Sequence, residues 1–365
     1  MPLKKCLCFV LAAYMIFALA SCAREDIIKT YTDKDEMPSY ITRLDPRSDV
    51  GKFAVLLRKY DESKSSVALC DKIGGELNIV YELPDVSLTY ELTAYDGLIA
   101  FYELSMFSDG SVNYALKVID TKDGNKVHSP YKKTVSEEGD VQTRFIVIYN
   151  GAVYYLTKSN LLGRCRVMKY DVKTKELTEY LSFDFTDNDL TNNSSCTSIS
   201  GKGGYLTCAV VSGNRTTLKT YDLNTDELVR EKELPYGTAI VYMADHDYNT
   251  GLYAIYYYSA QREERVGVFA YSDDTVEDVF SLNDDEYLNH EEVRIDGENV
   301  VFTVQDTSKT VPHEQLYHME RPVSGGEFTK YQGVFDTVRV VGDMWGLEFD
   351  SKKGYDAVNL ITIMN

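Results

Sequence analysis

The chain has 365 residues, of which 44% are hydrophobic, and this is enough for one large domain or two ordinary ones. Its formal net charge of −19 argues against nucleic acid as a partner, because phosphate binding requires clusters of Lys and Arg. The same charge argues against the body of the protein lying on an anionic membrane leaflet. We expect a monomer without a bound metal or cofactor.

The first 21 residues have the features of a secretory signal peptide. Lys4 and Lys5 precede an uncharged run from Cys6 to Ser21. A basic start, an apolar run and small residues at its end are typical of a cleaved signal. The run is shorter than the ~20 apolar residues that a membrane-spanning helix needs. We therefore predict that residues 1–21 are removed.

The sequence Leu19-Ala20-Ser21-Cys22 resembles the lipobox of bacterial lipoprotein precursors. This resemblance implies that the thiol of Cys22 receives a diacylglyceryl group and that Cys22 becomes the first mature residue. Two acyl chains hold a protein stably at a bilayer, whereas one does not. We predict lipid anchoring on the extracytoplasmic face of a cell membrane, with residues 22–26 as a tether to one domain, 27–365. The alternative is an ordinary signal peptide or an uncleaved anchor, in either of which Cys22 is incidental.

A turn glycine recurs about every fifty residues between stretches rich in β-forming residues. Asp-Gly and Asn-Gly between apolar runs favour tight hairpins, because type I′ turns need positive φ at both central residues. The turn glycines, spaced by 45 to 54 residues, are Gly51, Gly97, Gly151, Gly203, Gly251, Gly297 and Gly342. Such a fixed period is typical of repeat architectures.

A second series follows the first by about twenty residues. The segments 170–177 (YDVKTKEL) and 221–228 (YDLNTDEL) are near copies, and looser copies lie around Asp71, Asp120, Ser272 and Glu320. Two series with one period predict a unit of four strands. A β-sandwich is the alternative fold, but it would not repeat at this period.

The polarity of the strands indicates how each unit is arranged. Phe145–Tyr149 is apolar on both faces, whereas Val229–Glu233 is nearly all polar. An order from apolar inside to charged outside is that of a propeller blade. We predict an all-β fold, a seven-bladed β-propeller of four-stranded antiparallel blades.

The ends of the chain predict how the ring closes. The chain stops where the third strand of the last blade should end, so we predict that a strand at about 27–32 completes that blade. Only about four residues would separate this strand from Cys22, a reach of roughly 13 Å. The end of the propeller with the tight turns should therefore lie toward the membrane, and the opposite loops should point outward.

The hairpin 149–155 (YNGAVYY) and the Tyr-Asp-x-x-Thr-x-Glu-Leu turns resemble those of TolB-like and quinoprotein-like propeller lipoproteins. The resemblance implies a propeller over most of residues 27–365 and leaves the function open. Trp345 is the only tryptophan, which excludes the repeated tryptophan docking of quinone dehydrogenases.

Three charged loops are candidate ligand contacts on the outward end, because loops on a rigid scaffold commonly carry binding. Oxygen-rich loops suit calcium, but neither acidic loop matches an EF-hand, and we interpret both as solvated. The candidate residues are Asp187, Asp189, Arg262, Asp284, Asp285 and Glu286.

Cys196 and Cys208 flank Gly201-Lys202-Gly203. A hairpin with a three-residue loop would set the two thiols opposite each other, and an oxidising compartment would permit a disulfide. Two buried free thiols are the alternative that we favour.

Sequences typical of catalysis are missing. H-E-x-x-H, G-x-S-x-G and the phosphate-binding glycine loops do not occur, and we predict no catalytic residue. We expect a non-catalytic module that binds a protein, peptide or glycan. The alternatives are a hydrolase or lyase with carboxylates at the propeller channel, and a scaffold in envelope assembly.

Overall fold

The structure, a computed structural model, is described for most of the chain from Tyr40 to Ile363. The described residues are 40–44, 53–58, 65–70, 78–84, 87–106, 112–135, 141–159, 164–184, 194–212, 215–234, 238–259, 261, 263–340, 343–349 and 358–363. Their regular structure is almost entirely β, as expected where β-branched and aromatic residues alternate between turn glycines. In this part of the chain no helix is long and apolar enough to cross a bilayer.

The described strands form seven antiparallel sheets, six with four strands and one with three, and each strand pairs only with its neighbours in sequence. The first three sheets contain β1 (Tyr40–Leu44), β2 (Phe53–Arg58), β3 (Ser65–Cys70), β4 (Asn78–Glu82); β5 (Ser87–Tyr95), β6 (Leu98–Met106), β7 (Val112–Asp120), β8 (Lys126–Val135); and β9 (Val141–Tyr149), β10 (Ala152–Ser159), β11 (Arg164–Asp171), β12 (Leu177–Asp184). The next three contain β13 (Ser194–Lys202), β14 (Tyr205–Ser212), β15 (Arg215–Asp222), β16 (Glu227–Glu233); β17 (Thr238–Asp247), β18 (Leu252–Ser259), β19 (Glu264–Ala270), β20 (Glu277–Ser281); and β21 (Glu286–Asp296), β22 (Asn299–Asp306), β23 (Leu316–Pro322), β24 (Thr329–Gln332). The last sheet contains β25 (Val334–Val340), β26 (Asp343–Phe349) and β27 (Val358–Ile363).

The sheets follow one another as the blades of a β-propeller. First strands of successive sheets contact one another, from β5 to β9, β13, β17 and β21. β1 contacts the last sheet, which brings the first and last described sheets together. We refer to the four-stranded sheets as blades 1 to 6 in chain order.

The predicted count of seven four-stranded blades is corrected to six. The sheet β25–β27 has three strands in the described part of the chain. The strand that would have supplied the fourth, at about 27–32, lies outside the described residues. Closure through that strand therefore stays a prediction.

The hydrophobic core lies between blades, because both faces of each blade are covered by neighbours. In the second strands β14, β18 and β22, five consecutive residues are buried. The outer strand β16, by contrast, has no buried residue. The radial order from apolar to polar that the sequence predicts is thus present, as expected for sheets covered on both faces near the axis.

In blades 2 to 6 the two tight turns lie at the same end of the propeller, which we call the turn face. The backbone N–H that follows the third strand donates to a carbonyl of the first hairpin turn in five blades, over 2.8 to 3.0 Å. The donor and acceptor pairs are Thr121 and Gly97, Val172 and Gly151, Leu223 and Gly204, Tyr271 and Gly251, and Val323 and Glu298.

Candidate functional site

A cleft of about 350 Å³ lies between blades 2 and 3 at the periphery of the turn face. One wall is the first half of the outer strand β8, Lys126–Pro130. The other wall is formed by blade 3, through Tyr170, Lys175 and Leu177. We call this site the blade 2–3 cleft.

The blade 2 wall of the cleft is positioned by the turn that precedes β8. The carboxylate of Asp120 accepts the backbone N–H groups of Lys122 (3.0 Å) and Asp123 (3.2 Å), which caps a short 3-10 turn. Gly124 then adopts φ of 66°, a left-handed conformation that glycine reaches without steric cost. The chain reverses there and starts β8 at Lys126.

Blade 3 uses a related turn on the opposite wall. The Asp171 carboxylate accepts the N–H of Thr174 at 2.7 Å, and this bond is the main reason why the pKa of Asp171 lies below its usual value. The N–H of Lys175 donates to the Asp171 carbonyl at 2.8 Å. Lys175 has φ of 62°, so a lysine occupies a position that usually suits glycine. The turn thereby presents Lys175 to the cleft.

His128 is the buried polar group of the cleft, with 9% of its surface exposed. Its Nδ1 lies 2.9 Å from the hydroxyl of Tyr170, and its Nε2 is buried without a hydrogen-bond partner in the described part of the chain. Burial raises the pKa of Tyr170, which keeps the phenol protonated and able to donate. Burial, assisted by Lys126, lowers the pKa of His128 and keeps the ring neutral.

These states assign the tautomer of His128. A phenol is a better hydrogen-bond donor than a neutral imidazole, so we assign the hydroxyl of Tyr170 as donor to Nδ1. The proton of the neutral ring is then on Nε2. A buried N–H without an acceptor costs about 1–3 kcal/mol, which a ligand oxygen would recover.

The lysines of the cleft differ in their partners. Lys126 pairs with Asp123 at 2.7 Å, and this contact lowers the pKa of Asp123. Lys175 has no ion-pair partner among the described residues. An anionic group in the cleft would therefore find in Lys175 a cation that it need not share.

The aliphatic side chain of Leu177 borders the cleft and is 42% exposed. Val127, paired with Ile119, lies on the opposite face of blade 2 from His128. The same site thus offers a buried donor, a cation without an ion-pair partner among the described residues, and apolar surface. This combination can orient an oxygen-bearing ligand while burying part of its carbon skeleton. In the described part of the chain no cluster of His, Cys, Asp and Glu could hold a metal ion.

The acidic loop with Asp284, Asp285 and Glu286 is organised by its own hydrogen bonds. The Glu286 carboxylate accepts the backbone N–H (3.1 Å) and the side-chain amide (2.8 Å) of Asn283, and the hydroxyl of Tyr317 (2.7 Å). Glu286 therefore shapes the loop and anchors it to β23. The other loop candidates, Asp187, Asp189 and Arg262, lie outside the described residues, as does Cys22.

Cys196 and Cys208, which the sequence offers as a possible cross-strand disulfide, are buried free thiols in the structure. The hairpin turns at Gly203 and Gly204, which have φ of 58° and 87°, and its loop has two residues instead of three. This register pairs Cys208 with Ile199. Both thiols belong to one core cluster, and burial, followed by the neighbouring thiol of Cys208, raises the pKa of Cys196.

Carboxylates on the first strand of blade 5 tie blades together near the channel. Asp245 accepts the backbone N–H of Ile295, on blade 6, at 2.9 Å. Asp247 pairs with Lys202, on blade 4, at 2.9 Å. Burial raises the pKa of Asp247, but Lys202 and nearby backbone N–H groups outweigh it and keep the pKa below its usual value. Both carboxylates thus have a structural role.

Sequence reasoning missed the blade 2–3 cleft and expected function at the opposite end of the propeller. One signal was available: residues 126–135 contain three lysines, one histidine and no carboxylate in a strongly acidic chain. The contact of His128 with Tyr170, 42 positions later, depends on the packing of two blades. No pattern within one repeat shows that contact.

No protein-family model and no curated protein matches the chain. Among solved structures, it is similar to a prolyl endopeptidase at 12% identity and a TM-score of 0.57, over 98% of this chain and 52% of that one. It is similar to the acylaminoacyl peptidase of Pyrococcus horikoshii at 11% identity and a TM-score of 0.50, over 87% and 50%. For TolB from Acinetobacter baumannii the values are 13% and 0.40, over 76% and 65%.

The chain spans about half the length of the two peptidases that it resembles. At these identities the likeness shows the fold alone. The predicted β-propeller is confirmed, whereas the lipobox is not tested by these comparisons.

Proposed function

We propose that the protein is a lipid-anchored, non-catalytic binding module on the extracytoplasmic face of a cell membrane. Its propeller takes up a protein, peptide or glycan ligand, and the blade 2–3 cleft is the site of uptake. The observation that carries the proposal is the buried, unpartnered Nε2 of His128 in a cleft that also presents Lys175. The lipobox-like sequence around Cys22 supports the proposed location at the membrane.

The cleft is suited to binding because its walls are rigid. β8 is held to β7 along most of its length, and the turn at Lys175 is fixed by its bonds to Asp171. A preformed site loses little conformational entropy when a ligand enters. The site has no need of a lid or a folding step.

Blocking the cleft tests the proposal. Ser129 is exposed and lines the cleft, so Ser129→Trp should fill the cleft without entering the core. Peptide and glycan arrays would be probed with the full-length chain in detergent. We expect a defined set of ligands to bind the unmodified chain and to lose at least tenfold in affinity with Ser129→Trp.

Ser281→Trp is the matched control, because Ser281 is an exposed serine on the outer strand of blade 5. It should bind the same ligands as the unmodified chain. Equal binding by both variants would place the ligand site elsewhere and overturn the proposal. Turnover of an array ligand by the purified chain would also overturn it, in favour of the hydrolase or lyase alternative.

A further inference from the structure

We propose that the ligand of the blade 2–3 cleft is an acidic, extended peptide segment that lies along β8 as an added strand. The inference rests on the proposed function and deepens it, since it selects one ligand class and one mode of binding. Three independent features of β8 support it: its free edge, its charge and the cleft beside it.

The free edge provides backbone hydrogen bonds. β8 is the last strand of blade 2, so one edge of its backbone has no partner strand among the described residues. β8 has ten residues, whereas the other described outer strands have four to eight. An exposed edge can accept an extended peptide as an additional strand. Pro130 lacks an N–H, so the ladder would be interrupted at one position.

The charge of β8 selects an acidic partner. β8 carries Lys126, Lys132 and Lys133 and has no carboxylate, whereas four of the other five described outer strands contain at least one carboxylate. Lysines on an edge strand discourage pairing with neutral strands and with copies of the same chain. A strand that carries Asp or Glu opposite these lysines would instead be attracted, because opposite charges on paired strands stabilise the pairing.

The cleft gives the added strand a fixed position. Lys175 and the Nε2 of His128 would receive the carboxylate of one peptide residue, and Leu177 would cover the carbon atoms of that residue. Val127, on the opposite face of β8, would contact the next residue of the peptide. The distance from Lys126 to Lys132 along an extended strand is about 20 Å, which six or seven peptide residues span. The acidic side chains should therefore recur every second residue over this length.

Capped, fluorescein-labelled heptapeptides of alternating Glu and Val test the inference by fluorescence polarisation with the full-length chain. The Glu/Val peptide should bind, and its affinity should fall as salt rises. Peptides with Gln or Lys in place of Glu should bind at least tenfold more weakly. Methylation of alternate backbone nitrogens in the Glu/Val peptide should weaken binding by a similar factor, because a methylated nitrogen cannot donate to β8.

Charge reversal places the peptide on the cleft. Lys175→Glu should weaken binding of the Glu/Val peptide at least tenfold. Lys173→Glu makes the same change of charge in the same turn, but at a side chain outside the cleft lining. The affinity of this variant for the Glu/Val peptide should stay within twofold of that of the unmodified chain. The thermal midpoints of both variants should match that of the unmodified chain, because both side chains are exposed.

The outcomes separate this inference from the proposed function. Equal binding of the Glu and Gln peptides, or insensitivity to backbone methylation, would overturn the inference of an acidic added strand. The proposed function would still stand in that case if Ser129→Trp removed a different ligand found on the arrays. If the Ser129→Trp variant keeps every ligand, the cleft itself is not the site and both proposals fall.

Discussion

His246 shows how the fold keeps a buried imidazole neutral. The ring is 2% exposed and stacks on Tyr253, with centroids 3.8 Å apart. Its Nε2 lies 3.1 Å from Nη1 of Arg230. A guanidinium always donates, so Nε2 accepts and the proton is on Nδ1, which donates to Oγ1 of Thr220 at 3.1 Å. Burial first, and Arg230 second, lower the pKa of His246 to about 4.

This pKa predicts that the protein becomes less stable in mild acid. Between pH 6.5 and about 4 the unfolded chain binds a proton at His246 that the folded chain does not, so the free energy of unfolding falls as the pH falls through this range. The full loss should be about 3 kcal/mol. Urea unfolding between pH 7 and 4 measures it.

The His246→Phe variant provides the control for this pH dependence. Phenylalanine keeps the stack on Tyr253 but cannot titrate. The variant should be less stable at pH 7, because Arg230 and Thr220 lose a partner, and its stability should depend less on pH over the same range. Parallel pH curves for the two proteins would contradict the assignment. His128, whose pKa burial also lowers, contributes to both curves alike.

First strands of blades 3 and 4 approach each other closely at Gly201, on β13. A Cβ atom at this position would lie 2.0 Å from Cγ1 of Val147, on β9. Gly201 does not have a positive φ, so space and not backbone conformation requires the glycine. The close approach lets the two strands pack without a side chain between them.

Gly201→Ala should therefore destabilise the protein by about 1–3 kcal/mol, the usual cost of overfilling a packed core. Val147→Ala should remove most of this cost in the double variant, because the clashing methyl group is gone. Gly151→Ala is a control, since φ at Gly151 is 74° and no atom lies near its added Cβ. Its cost of about 1–2 kcal/mol comes from backbone strain and should not change with Val147→Ala. Urea unfolding of six chains tests both expectations: the unmodified chain, the three single variants, and the two double variants that carry Val147→Ala.

The strands themselves were predictable because each is a local pattern. The turn pairs at Asp96-Gly97 and Asn150-Gly151 have positive φ at both residues, as type I′ signals require. At Gly201-Lys202-Gly203-Gly204 three glycines offered more than one turn, and the sequence did not show that Gly203 and Gly204 form it. That shift of register sets Cys208 opposite Ile199, although its thiol still lies close to that of Cys196 in the same core cluster. The blade 2–3 cleft escaped prediction because its walls come from two repeats.

Each blade contacts its neighbours in the ring, and ties near the axis join more than two of them. Lys202 on blade 4 pairs with Asp247 on blade 5 and donates to the carbonyl of Ile295 on blade 6 at 3.1 Å. The period of the turn glycines predicted the propeller. The number of complete blades was harder to predict, because it depends on pairing between distant ends of the chain, which no local pattern encodes.

The predicted cellular location of the whole molecule depends on Cys22. If the lipobox resemblance is correct, Cys22→Ser should abolish incorporation of an alkyne-labelled fatty acid and move the protein from the membrane to the soluble fraction. Cys8→Ser is the matched control, because Cys8 lies within the predicted signal peptide and should not change either result. Labelling that survives Cys22→Ser would refute the predicted anchor.

The bonds that join the two turns in blades 2 to 6 bear on how this scaffold could be re-engineered. The chain after the third strand is fastened to the first hairpin, so the two connections form a single joint. Lengthening either one would strain the other, and a grafted epitope there would disturb two connections at once. Connections at the far end, between second and third strands, are the better place for inserting new recognition loops.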